Sequence, residues 1–172
     1  MDTQNGRVGI DLGATSLKAV RLDGAGGIAK SFSRRHKGDV SKALAEAFAV
    51  LAVSQEDRVG VTGALAPAYA ARLGLTPVDL TRCQIHVLRR LLPKARAIID
   101  VGGGSSTLVQ LDSEGHFRAH ATNSLCAAGT GAFLDEQAQR LGIAYEDAEG
   151  FEQVAEPPTI ASRCSVFAKS DL

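Results

Sequence analysis

Short apolar runs separated by polar, glycine-containing turns occur twice along the chain, in the same order. Residues 10–28 align with residues 99–117 without a gap, and eight positions are identical in the two copies. Each copy has an apolar run ending in aspartate, a turn rich in Gly, Ser and Thr, and two further apolar runs, which is typical of strands joined by tight turns. We interpret the repeat as a duplication. It predicts a three-stranded antiparallel meander over residues 7–33 and again over 96–122.

The residues after the first copy alternate between helical and strand patterns. Apolar spacing predicts a helix from about Ser41, as its N-cap. A strand is predicted over Arg58–Thr62 and a short helix over Ala64–Leu73. A longer helix is predicted from an N-cap at Asp79 to about Leu92, where a proline stops it.

Two further helices carry an apolar stripe. In the helix that follows Asp79, the stripe consists of Leu80, Cys83, Val87 and Leu91. This position on the apolar stripe predicts core packing for Cys83. After the second copy, a helix is predicted over about Ala127–Leu141, and its buried stripe is expected to be Leu134, Ala138 and Leu141.

This alternation of strands and helices indicates an α/β protein with mixed sheets. Two domains are predicted, over residues 1–93 and residues 94–172. The strand–helix–helix continuation of the first copy has no counterpart after the second copy, so the second domain is expected to be incomplete.

Composition excludes some classes of function. Lys and Arg number 19, as do Asp and Glu, so no net field attracts nucleic acid or anionic lipid. The first residues do not resemble a signal peptide, and no apolar run reaches the length of a membrane span, so a cytoplasmic location is expected. Three cysteines, an odd number, argue against a disulfide framework. Each is a buried thiol, a nucleophile or a metal ligand.

The two Asp-x-Gly turns are candidates for phosphate binding. Glycine lets backbone N–H groups approach a ligand, and hydroxyls add further donors. Asp11 and Asp100 would repel phosphate directly, so they are expected to act through a divalent cation or by orienting a water. The alternative is a pair of ordinary β-hairpins. The predicted nucleotide-binding residues are Gly13, Ala14, Thr15, Ser16, Lys18, Gly102, Gly103, Gly104 and Ser105.

This pair of motifs resembles the phosphate-1 and phosphate-2 loops of the actin, hexokinase and heat-shock-chaperone superfamily. The resemblance implies duplicated actin-like (ribonuclease H-like) ATPase domains that close over ATP and a metal. It indicates phosphoryl chemistry without choosing among kinase, phosphatase and chaperone.

Two cysteines lie in distinctive surroundings. Cys126 stands at a predicted helix start in the run Ser-Leu-Cys-Ala-Ala-Gly-Thr-Gly, and Cys164 follows an arginine; both settings favour a thiolate. No Cys-x-x-Cys spacing occurs. A twofold axis would double the two cysteines to the four thiolates that an iron–sulfur cluster requires. Buried thiols are the alternative.

The segments around Cys126 and Cys164 resemble the cysteine motifs of the 2-hydroxyacyl-CoA dehydratase activators and benzoyl-CoA reductase ATPase subunits. They read Cys-Ala-Ala-Gly-Thr-Gly-Ala-Phe-Leu and Ser-Arg-Cys-Ser-Val-Phe-Ala. The resemblance implies a homodimer with one 4Fe–4S cluster between the subunits, bound ATP or ADP with Mg²⁺, and Asp11 and Asp100 at the catalytic centre. It also implies ATP-driven transfer of a low-potential electron to a partner dehydratase or acyl-CoA reductase component.

The second phosphate loop departs from that family. In that family the loop usually reads Asp-Ile-Gly-Gly-Gln-Asp, whereas residues 100–105 read Asp-Val-Gly-Gly-Gly-Ser, closer to exopolyphosphatase-like relatives. An exopolyphosphatase-like or other phosphoryl-transfer enzyme is therefore one alternative, and a non-catalytic nucleotide-binding module is another. The chain alone is expected to bind nucleotide weakly and to hydrolyse it little. The four histidines, His36 among them, are expected to be surface or helix-packing residues.

Overall fold

The computed structural model describes residues 6–123, 130–144, 156, 159–161 and 164–171. Two compact units divide the chain: residues 1–98 with 109–119, and residues 99–108 with 120–172. No helix in the described part is long and apolar enough to cross a membrane.

Strands and helices alternate as the sequence predicts. A 3₁₀ turn covers Ala71–Leu73, between two of the helices. The elements are β1 Arg7–Leu12, β2 Ser16–Leu22, β3 Ile28–Arg35, α1 Val40–Leu51, β4 Arg58–Thr62, α2 Ala66–Ala70, α3 Leu80–Leu91, β5 Ala97–Val101, β6 Ser106–Leu111, β7 Phe117–Asn123, α4 Gly131–Leu141 and α5 Ser165–Asp171.

The first sheet has the strand order β3-β2-β1-β4. Strand β1 pairs antiparallel with β2 and parallel with β4, so the sheet is mixed. Alternate residues of β1, Val8, Ile10 and Leu12, are at most 3% exposed and form one core with the apolar face of α1. The opposite face of β1 carries Gly9 and Asp11. The sheet thus has one packed face and one sparsely covered face.

Helix α1 is capped by Asp39, and the prediction of Ser41 as N-cap is wrong. The Asp39 carboxylate accepts a hydrogen bond from Lys42 N–H at 3.0 Å. Ser41 lies inside the first turn, two residues further on, where its hydroxyl does not take the capping role.

The predicted strand Arg58–Thr62 is confirmed as β4, and Asp79 caps α3 by accepting from Arg82 N–H at 2.8 Å. The short helix begins two residues later than predicted, at Ala66, because Gly63 adopts a φ of 103° and its carbonyl accepts from Ala66 N–H.

Core packing of Cys83 is not confirmed. Cys83 is only partly buried, and Val87 and Leu91 on the same stripe are 51% and 69% exposed. The sheet face beside α3 carries glycine at positions 9 and 60, which offer no side chains for the helix to pack on. A cavity of about 400 Å³ lies there instead, with Cys83 and Val87 in its lining.

The second sheet consists of β5, β6 and β7 in that order. Leu111 N–H donates to Arg96 at one end of the β5–β6 pair, and Gly102 N–H donates to Ser105 at the other, which defines an antiparallel hairpin. Both repeats thus form three consecutive hydrogen-bonded strands, as predicted.

Helix α4 differs from its prediction. Its described part begins at Gly131, and residues 127–129 lie outside the described ranges. The predicted stripe is wrong for Leu134 and Leu141, which are 56% and 52% exposed. Gln137 is buried instead, and its side-chain oxygen accepts from the exposed Arg140 at 3.1 Å, so a polar residue takes the covered position.

Arg21, on β2, joins three separate segments. Its guanidinium donates to both carboxylate oxygens of Asp57, at 2.9 and 2.8 Å, and to the carbonyls of Leu51 and Ala52 at the end of α1. The Asp57 side chain is only 3% exposed. The ion pair therefore fixes the end of α1 and the start of β4 to strand β2.

Replacing Arg21 with methionine is expected to lower the free energy of unfolding by about 3 kcal/mol, because a buried carboxylate loses its ionic partner. Urea denaturation followed by circular dichroism measures this. Arg34→Met is the matched control, since Arg34 pairs with Glu46 on the surface and such pairs contribute less than about 1 kcal/mol. Equal losses in the two variants would contradict the structural role of Arg21.

Candidate functional site

The first Asp-x-Gly turn closes through a backbone hydrogen bond. Gly13 N–H donates to Ser16 C=O at 3.0 Å. A Cβ on Gly13 would lie 2.9 Å from that oxygen, so the turn requires glycine there. Ala14 and Thr15 form the tip, and Ala14 is exposed. The tip thus offers backbone amides and hydroxyls at the surface.

The second turn has the same closure. Gly102 N–H donates to Ser105 C=O at 2.8 Å, and a Cβ on Gly102 would lie 3.2 Å from that oxygen. The turns between the second and third strands also correspond: Gly26 and Gly115 have φ of 86° and 82°, and each donates to the carbonyl of the aspartate three residues earlier. The repeat in sequence is therefore a repeat in hydrogen bonding.

At the far end of the second hairpin, the pKa of Asp112 is lowered. The backbone N–H of His116 is the main cause, and the N–H of Glu114 adds to it; both donate to the exposed carboxylate. His116 is exposed, as predicted for a surface histidine. These bonds serve the turn itself and lie far along the strands from Gly102.

Asp11 lies in a row of polar residues across the first sheet. Its register partners are Lys18 on β2 and Thr62 on β4, so the three side chains emerge on the same face. Lys18 is exposed and Asp11 is partly buried. The structure thus brings together two of the predicted site residues with Thr62, which the sequence did not single out.

Thr62 and Gly63 complete the surroundings of Asp11. Thr62 Oγ1 is buried and has no hydrogen-bond partner within the described residues. Gly63 packs against the Asp11 carboxylate so closely that a Cβ would collide with Oδ1. A carboxylate and a hydroxyl are oxygen ligands of the kind that Mg²⁺ takes, directly or through water. The residues present therefore fit a magnesium site.

A threonine that ends a strand and is followed by glycine was the signal in the sequence for this neighbourhood. It could be tied to Asp11 only by knowing that β4 pairs with β1 in parallel, because the ends of parallel strands meet at one edge.

The second loop is held by α4. Gly131 N–H donates to Gly102 C=O at 3.0 Å, and Ala132 N–H donates to Gly103 C=O at 2.8 Å. The first amides of this helix are thus bonded to the loop.

The predicted cluster cysteines are described unequally. Cys126 lies outside the described residues. Cys164 is partly buried and directly precedes α5, where its carbonyl accepts from Ala168 N–H at 2.9 Å. Among the residues that the structure places, no three His, Cys, Asp or Glu side chains are grouped to hold a metal ion. Cys164 is the described thiol of the predicted pair, and a four-thiolate site needs ligands beyond it.

His36 is the second site residue that the sequence did not reveal. It was expected at the surface or packing on a helix, but it is 8% exposed and its ring contacts the carbonyl of Gly13. The signal was its place one residue beyond β3, opposite the first turn.

The described residues define a mixed α/β protein with two sheets, each carrying an Asp-x-Gly hairpin closed by the same hydrogen bond. Comparison with known proteins is consistent with this class. The chain matches the BadF/BadG/BcrA/BcrD ATPase family over residues 8–172, and it belongs to that family.

Individual relatives give the same result. The activator of lactoyl-CoA dehydratase from Anaerotignum propionicum is 34% identical over 96% of this chain and 65% of its own length. One of the subunits of benzoyl-CoA reductase from Thauera aromatica is 31% identical over 95% and 61%. The structure of the activator of the 2-hydroxyisocaproyl-CoA dehydratase from Clostridium difficile, with bound ADPNP, is similar with a TM-score of 0.75 and 26% identity, over 96% of this chain and 63% of that one.

The chain therefore spans slightly less than two thirds of the length of these relatives. An exopolyphosphatase from Cytophaga hutchinsonii is a more distant neighbour, with 14% identity and a TM-score of 0.50 over 77% of this chain and 53% of that one, a likeness of fold alone.

Proposed function

We propose that the chain belongs to an ATP-dependent activator that passes a low-potential electron to a 2-hydroxyacyl-CoA dehydratase or a benzoyl-CoA reductase-type partner. The observation that carries the proposal is the pair of hairpins, because each presents an aspartate beside a glycine turn with flanking hydroxyls. Membership of an ATPase family supports this function over the others that such hairpins could serve.

In this proposal, the two hairpins bind the phosphates of ATP or ADP. Two actin-like domains, residues 1–93 and 94–172, each contribute one hairpin. Asp11 and Asp100 hold Mg²⁺ or orient the attacking water. Backbone amides and hydroxyls of the two turns bind phosphate oxygens, and Lys18 adds a positive charge in the row that contains Asp11.

The cluster is the second part of the proposal. Cys126 and Cys164 would hold one 4Fe–4S cluster together with the same cysteines of a twofold-related copy. When bound, the cluster supplies the low-potential electron. A single chain provides two of the four thiolates, so the proposal requires a homodimer.

The second loop favours slow turnover. Gly104 and Ser105 stand where the activator family has glutamine and aspartate, so the loop lacks one carboxylate and one amide for ordering water and metal. Nucleotide binding with little hydrolysis is therefore the expected behaviour of this chain, and a purely nucleotide-binding module is the second candidate function.

Asp11→Asn is expected to weaken Mg·ADP binding about tenfold to a hundredfold, since a charge-assisted contact to the metal shell is lost. Titration of ¹⁵N-labelled protein, followed by amide shifts at the two turns, measures even weak affinities. Asp23→Asn is the matched control, because Asp23 accepts from Gly27 N–H at the far end of the same hairpin and asparagine can still accept there. Equal affinities for the wild type and Asp11→Asn would count against the proposed site.

A further inference from the structure

His36 bonds to the first turn through both its backbone and its ring. Its N–H donates to Thr15 C=O at 3.2 Å, and its ring Nε2 lies 3.2 Å from Gly13 C=O. The residue is 8% exposed, so water competes little for these bonds. Two carbonyls of the turn are therefore tied to one residue beneath it.

The ring has a defined tautomer. Gly38 N–H donates to Nδ1 at 3.2 Å, so Nδ1 carries no proton. In the neutral ring the proton is then on Nε2, which donates to Gly13 C=O. The positive φ values of Lys37 and Gly38 form the tight turn that brings this amide back to the ring. The next amide, that of Asp39, donates to the His36 carbonyl at 2.8 Å.

Fixing the carbonyl of Gly13 also fixes the following amide. A trans peptide places its C=O and N–H on opposite sides, and no cis peptide is present in the described chain. With Gly13 C=O directed at the ring, Ala14 N–H is directed away from it, at an exposed tip. Carbonyl oxygens repel phosphate and amides attract it, so this orientation suits an anion.

We infer that His36 is a positioning residue that holds the first turn with its carbonyls turned inward and its Ala14 amide presented to a nucleotide phosphate. The inference rests on the proposed function, because it assumes that this turn binds phosphate. His36 itself does not touch the ligand.

Two conservative variants separate the ring nitrogens. The amide nitrogen of glutamine is as many bonds from Cα as Nε2, so His36→Gln can still donate to Gly13. Asparagine places its polar atoms at the Nδ1 position, so His36→Asn can still accept from Gly38 but cannot reach Gly13. We expect His36→Gln to keep Mg·ADP affinity within about threefold, and His36→Asn and His36→Leu to lose about tenfold.

A readout without nucleotide makes the inference testable by itself. Long-range ¹H–¹⁵N spectra of the wild-type ring should show a protonated Nε2 and an unprotonated Nδ1. The Ala14 amide shift should stay close to wild type in His36→Gln and move in His36→Asn. Thermal unfolding of each variant checks that it is folded.

The outcomes separate the two proposals. If the tautomer and the Ala14 shifts are as expected but the wild type does not bind Mg·ADP, the positioning of the turn stands and its assignment to phosphate fails with the proposed function. A ring protonated on Nδ1 would overturn the inference. Affinity kept by His36→Asn and lost by His36→Gln would also overturn it.

Discussion

Cys164→Ala is expected to abolish cluster binding, whereas the wild type gains about one 4Fe–4S cluster per dimer on anaerobic reconstitution. A cluster bound across a twofold axis would take two Cys164 and two Cys126 thiolates. Replacing Cys164 or Cys126 by alanine removes two of the four ligands of the dimer at once, so no partial occupancy of the cluster site is expected. Iron and sulfide content and the broad iron–sulfur absorbance measure the result.

Cys83→Ala is the control for this experiment, because Cys83 is a third thiol placed against an apolar cavity in the other compact unit. It should reconstitute as the wild type does. Loss of the cluster in Cys83→Ala, or its retention in both Cys126→Ala and Cys164→Ala, would rule out the proposed ligand set.

Gly63→Ala is expected to lower the free energy of unfolding by about 4 kcal/mol, because two costs act on the same atom. A φ of 103° strains any residue with a Cβ by about 1–3 kcal/mol. The Cβ would also lie 2.5 Å from the carbonyl oxygen of Leu12, a backbone atom in the centre of the sheet that cannot move aside cheaply, for another 1–3 kcal/mol or so. Urea denaturation gives the difference.

Gly60→Ala, on the same strand, is the matched control. A Cβ on Gly60 meets no atom within 4 Å and its φ is not positive, so the change should stay within about 0.5 kcal/mol of wild type. If the two alanine variants unfold at the same urea concentration, the close packing of Gly63 on Asp11 and Leu12 is wrong.

Local signals predicted much of the fold. The bounds of β4, the cap at Asp79 and the strands of both repeats follow from residue types and spacing that act within a few positions. The N-cap of α1 could not be predicted in this way, because aspartate and serine are both good N-cap residues and Asp39 and Ser41 lie two positions apart. The structure uses Asp39, whose amide is already held by the carbonyl of His36 after the tight turn.

The residues of the candidate site that lie in the duplicated segments could be predicted from the sequence. Those that reach the site through the pairing of strands distant in sequence could not. Asp11, Gly13 and Gly102 follow from the duplication. Thr62 reaches Asp11 only because β4 adds to β1 in parallel, and His36 reaches Gly13 only through the end of β3. Neither relation has a short sequence spacing, so no periodicity predicts it.

The hydrogen bonds from α4 to the second loop have a thermodynamic consequence. They join the loop to the first turn of the helix, and in the sequence Cys126 lies between β7 and that turn. Suppose that nucleotide at the loop favours one orientation of the helix and that the iron–sulfur cluster binds best to the same orientation. Nucleotide then raises the affinity for the cluster by some factor, and the cluster must raise the affinity for nucleotide by that same factor, because coupling free energies are reciprocal. The cluster-loaded and cluster-free proteins would then differ in their affinity for Mg·ADP, and the size of that difference would measure the coupling.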